Sequence, residues 1–107
     1  MIKVSVSRDK CGYRGLECKG HADYAGKGGQ DIVCAAVSAL VINTVNSLEA
    51  FTHDRFTAED KDGYVKLAFP ERQSPEGKLL MDALLLGLNE ISRSYGKKYL
   101  QVNIREV

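Results

Sequence analysis

The sequence predicts an α+β chain, a two-layer sandwich in which a five-stranded sheet carries two helices on one face, in the order ββαββαβ. Three observations point there: strand-like alternation near both ends and in the middle, two amphipathic stretches of helical period, and glycine or proline at the joins. The 107 residues, 44% hydrophobic and 27% charged, suit one globular domain spanning residues 1–107. Lysine and arginine number 15 against 14 acids, a net charge of +1 that offers no broad field for a polyanion, so no nucleic-acid partner is expected.

Ile2, Val4 and Val6 alternate with Lys3, Ser5 and Ser7, a strand with one wet face. Leu16 and Cys18 mark a second, shorter strand ending near Gly20, and the pair forms a hairpin across Asp9–Tyr13. From Ala22 to Gln30 the chain has Gly26, Gly28 and Gly29 and almost no apolar anchor, which predicts a mobile loop. Asp31 then precedes a helix from about Ile32 to Phe51, whose inner face is Val33, Val37, Leu40, Val41, Thr44, Leu48 and Phe51.

Phe56 and Ala58, then Val65, Leu67 and Phe69, flank a hairpin turn whose positive φ angles fall on Asp62 and Gly63. Ser74, Pro75 and Glu76 open a second helix, with Leu80, Leu84, Leu88, Ile91 and Tyr95 along its inner face and Gly96 ending it. Leu100, Val102 and Ile104 alternate in a last strand.

The first eight residues lack the unbroken apolar run of a secretory signal, and Ile32–Ile42 is shorter than the roughly 20 residues of a membrane span. With three cysteines, an odd number, the expectation is a cytoplasmic chain with free thiols and no membrane partner.

Cys34 falls in the first turn of the first helix, where unpaired N–H groups favour an anion and lower a thiol pKa. The competing reading is a small buried hydrophobe. His21 ends a strand just before the glycine-rich loop, so the fold can return the chain to place it beside Cys34 as the base of a Cys-His pair. Asp31 serves as the helix cap first and as an orienter of His21 second; Ser38 lies one turn beyond Cys34. A zinc site from Cys18, His21 and Cys34, with Cys11 as a fourth ligand, is the rival, although the spacing fits no standard finger and no cofactor is expected. His53 reads as a dipole partner or solvated residue.

Gly20-His21-Ala22 and Asp31-Ile32-Val33-Cys34-Ala35-Ala36-Val37-Ser38 closely resemble the motifs of the ribosomal-processing cysteine proteases of the Prp family. The resemblance implies a catalytic dyad of His21 and Cys34, with supporting roles for Asp31 and Ser38. It implies a homodimer that removes the amino-terminal extension of large-subunit ribosomal protein number twenty-seven. The loop before Cys34 is about a residue longer than the family pattern, at Gly26-Lys27-Gly28-Gly29, which bears on substrate contacts made there. Backbone N–H groups of Cys34 and Ala35 are the expected oxyanion donors. A noncatalytic ribosome-assembly binding module is the alternative from another class.

Overall fold

The structure is a computed structural model that describes residues 1–24 and 31–107. Its elements are β1 (Ile2–Asp9), β2 (Gly12–Lys19), α1 (Ile32–Phe51), β3 (Thr57–Lys61), β4 (Tyr64–Ala68), α2 (Pro75–Tyr95) and β5 (Leu100–Glu106), in the expected order. The strands form one sheet, ordered β3-β4-β2-β1-β5, antiparallel except where β5 runs parallel to β1.

The register explains why a single face is apolar. Val4 lies opposite Cys18 and Val102, Val6 opposite Leu16, and Leu16 opposite Leu67, so alternate residues stack across strands on one side. That side is buried by both helices through Val33, Val37, Val41 and Leu48 of α1 and Met81, Leu84, Leu85 and Leu88 of α2. Each such side chain contributes on the order of 1.5–3 kcal/mol when taken out of water. The two helices approach closely at Gly87, where a Cβ would stand 2.8 Å from Leu40 Cδ1. A larger residue there would push the helices apart.

Several expectations change. β2 is as long as β1, because an irregularity between Ser7 and Arg8 lets the ladder continue to Asp9 and Gly12 and buries Tyr13. In the β3–β4 turn only Gly63 takes a positive φ, +68°, and Asp62 does not share it. This is the sign pattern of a type II turn, which asks for glycine at its second central position alone.

Phe51 is 75% exposed, since the inner face of α1 has rotated away from the core by its last residue. On α2 the buried row is centred on Met81, Leu84, Leu85 and Leu88, with Leu80 and Ile91 at its margins and Tyr95 outside. By length and hydropathy alone the 20-residue α1 passes for a membrane span, with a mean hydropathy of 1.6, against the reading from Ile32–Ile42. Its buried row of valines and Leu48 is instead packed into the core.

Candidate active site

The strand order puts β4 beside β2, so the β3–β4 turn meets the end of β2: Lys19 pairs with Tyr64, and the Gly20 N–H donates to the Gly63 carbonyl at 2.8 Å. Just beyond, His21 lies against Gly63, where an added Cβ would come 2.9 Å from the imidazole Nε2. The glycine is required twice, for its φ and for the space the ring takes. The Met1 ammonium donates to the His21 carbonyl at 2.6 Å, and Ala22 is buried in the core.

Asp31 builds the other wall. Its Oδ1 accepts from the Cys34 N–H at 3.0 Å and its Oδ2 from the Tyr24 N–H at 3.2 Å. The carboxylate therefore caps α1 and ties Tyr24 to the helix start. Burial works to raise the Asp31 carboxyl, but these N–H donors outweigh it and hold it below the usual carboxylate range. The capping role is the one these two bonds display, each using one acceptor site of an oxygen. The Tyr24 ring packs edge-on against Tyr95 and Tyr99, at 5.3 and 4.9 Å between centroids. The start of the glycine-rich segment is thus anchored by Ala22 and Tyr24, the few apolar anchors in a stretch read as having almost none. Gly26, Gly28 and Gly29, expected to contact substrate, lie outside the described residues.

Cys34 is half-buried, and its Sγ accepts from the Ala22 N–H at 3.1 Å. Cys34, His21 and Ser38 border one cleft of about 430 Å³, closed on the far side by the β3–β4 turn, Asp60 to Val65, and floored by Cys18. The thiol pKa is not lowered in this state. Burial pushes it up, the Ala22 N–H opposes that, and the Asp31 carboxylate adds to the rise. The sequence already sets the Asp31 charge against a thiolate one turn away; what the helix-start expectation left out is the burial of the sulfur, the largest cause of the rise.

The donors expected for an oxyanion are also occupied. The Cys34 N–H is held by Asp31 Oδ1, and the Ala35 N–H donates to the Asp31 carbonyl at 3.1 Å. The donor aimed at the sulfur is the N–H of Ala22, a residue that sequence reasoning passed over. Gly63 and the β3–β4 turn were missed for the same reason: only strand order brings them to the cleft.

The zinc alternative fails on placement. Cys11 sits in the β1–β2 turn, at the opposite end of that hairpin from Cys18, roughly 20 Å away along the strand. Among the described residues no three His, Cys, Asp or Glu side chains converge as a metal site. The Cys18 thiol, buried and near Cys34, is pushed up to about 11, the behaviour of a core side chain. His53 is exposed just past the end of α1.

The family profile of cysteine protease Prp matches residues 1–101. The chain belongs to this family. It is 38% identical over 104 residues to the ribosomal processing cysteine protease Prp of Bacillus subtilis, covering 89% of this chain and 90% of the relative. Against the protein of that name from Staphylococcus aureus it is 31% identical over 100 residues, 91% and 93% of the two chains. A crystal structure of S. aureus Prp with a covalently linked product peptide superposes with a TM-score of 0.89 at 27% identity, covering 98% of this chain and all of that one. The same protein with a substrate peptide gives 0.85 at 26% identity over the same shares. This member of the Prp family is accordingly a cysteine protease, and the two-layer ββαββαβ fold is the family's.

Proposed function

We propose that Cys34 is the nucleophile and His21 the general base and acid, and that the substrate is the amino-terminal extension of large-subunit ribosomal protein number twenty-seven. The observation that carries the site assignment is the bond from the Ala22 N–H to Cys34 Sγ, which holds the sulfur in the cleft that His21 borders. Cys11 is exposed in a turn at the far end of the β1–β2 hairpin, and Cys18 forms the buried floor of the cleft.

In the resting state Cys34 is a thiol, its pKa raised by burial and Asp31. Transfer of its proton to His21 gives a thiolate that retains the Ala22 N–H as a donor and an imidazolium beside it. The sulfur attacks the scissile carbonyl, the imidazolium protonates the departing amine as the C–N bond breaks, and a thioester remains on Cys34. Water, deprotonated by His21, then releases the acid and restores the thiol. Asp31 fixes the sulfur's position through the helix start and holds the Tyr24 N–H. Ser38 contributes a hydroxyl to the cleft wall.

The same reading makes the protein a cytoplasmic homodimer that acts on the extension of a ribosomal protein. Its near-neutral charge suits a polypeptide substrate better than RNA. Incubation with the extended and the trimmed forms of that ribosomal protein, followed by intact-mass analysis, tests the proposal. Loss of the extension from the first and no change in the second is the expected result; an intact extended form after prolonged incubation with active protein overturns it.

A further inference from the structure

The cleft at Cys34 does not end there. It continues into a hollow of about 140 Å³ that shares Asp60 and Val65 with it. That hollow in turn shares Val45 and Ala58 with a third, of about 630 Å³, reaching Glu49 and Arg55. Together they form one groove between α1 and the edge strand β3. It exists because α1 stops short of that edge: all five residues of β3 are exposed.

One side of the groove is largely apolar, through Val37, Val41, Ile42 and Val45 of α1 with Ala58 and Val65 opposite, and carries Asn46 and Asp60 as polar neighbours. The other is backbone. Among the described residues β3 pairs only with β4, and alternation in an antiparallel ladder leaves every second N–H and C=O aimed outward. Counting back from the Lys61–Tyr64 pair that flanks the turn, the outward groups belong to Ala58 and Asp60.

Resting on the protease reading, we infer that this groove takes a flank of the substrate as an added strand on β3, with alternate apolar side chains set against α1 and the scissile bond delivered to Cys34. The occupant follows from continuity with the cleft, since a chain cut at Cys34 must leave it on both sides, and this is an exit with free strand-pairing groups. From Cys34 to Glu49 the helix rises about 22 Å, the span of roughly six or seven extended residues. A short flank with apolar residues at every second position is the chemistry it selects.

The test uses the Cys34→Ala protein and a fluorescein-labelled peptide made of the extension plus the first six residues of the trimmed ribosomal protein. Ile42→Asp puts a charge into the groove at an exposed position, and Ala58→Pro removes one outward N–H; each should weaken binding about tenfold. Leu86→Asp, on the exposed side of α2, should leave binding unchanged. In the parent protein, amide resonances of residues 57–61 should shift when the peptide is added, which reads the groove even where a variant folds poorly. Unchanged affinity in both groove variants, or shifts confined to the polar face of β1 and β2, overturns the inference. Turnover separates the two readings: cleavage with no effect at the groove removes only the groove. Binding along β3 with no product from the Cys34 protein supports the groove and counts against the protease assignment of this substrate.

Discussion

The starts of the two helices obey one capping rule and are put to opposite uses. At α2, Ser74 accepts from the Gly77 N–H, and Asp54 receives both the N–H and the hydroxyl of Ser74, each at 2.9 Å. Pro75 and Glu76 fill the first turn, and Gln73 is locked onto the backbone of Tyr13. Ser74, Asp54 and Gln73 each face another protein group, while Pro75 and Glu76 are exposed. At α1, Asp31 satisfies the Cys34 N–H in the same way, but the first turn has no acid and the side chain at its third position is a thiol facing a cleft. The cap is equally good in both places. What stands opposite decides whether a helix start is a fastening or a reactive site.

The comparison can be broken at either end. The largest expected effect is on the open end: Cys34→Ala should lower peptide cleavage by at least about a thousandfold with an unchanged circular dichroism spectrum. His21→Ala should lower it by about a hundredfold or more. On the closed end, Gly77→Ala should cost about 3 kcal/mol in urea denaturation, because the new Cβ would fall 1.9 Å from Asp54 Oδ2. Activity per folded molecule should be untouched there.

A third effect lies beneath the cleft. The Cys18 thiol is pushed up to about 11 by burial, so between about pH 9 and 11 the unfolded chain ionises this group while the folded one keeps its proton. Stability should therefore fall as pH rises through that window, by up to about 2 kcal/mol, and Cys18→Ala should flatten the slope whatever its effect on absolute stability. The smallest change is Asp31→Asn, which keeps a capping side chain but removes the negative charge that helps raise the Cys34 thiol. Alkylation of Cys34 by iodoacetamide at pH 7.5 should speed up about threefold, its pH profile moving to lower pH.

The bounds of α1 were legible because Asp31 and the valine row are local signals, and α2 was legible for the same reason at Ser74, Pro75 and Gly96. The sheet's apolar face could be read from alternation in Ile2, Val4 and Val6. The surroundings of the sulfur could not. Gly63 and the β3–β4 turn come to the cleft through the pairing of β4 with β2, a contact across more than 40 residues that no local pattern encodes, and the Ala22 N–H reaches the sulfur across 12 residues of chain. The direction of the thiol shift also escaped: the opposing Asp31 charge could be read from the sequence, but the larger cause, how deeply Cys34 is buried, is a property of packing. The family motifs named Cys34 and His21 where spacing alone left them as one reading among several.

The most direct measurement of the central claim is acid-quenched intact-mass and peptide-mapping analysis of the protein mixed with an extension peptide. The account predicts a transient mass increase equal to the acyl portion of the peptide, mapped to Cys34 and absent from Cys34→Ala. An adduct on Cys11 or Cys18, or product formed at the normal rate by Cys34→Ala, would contradict it.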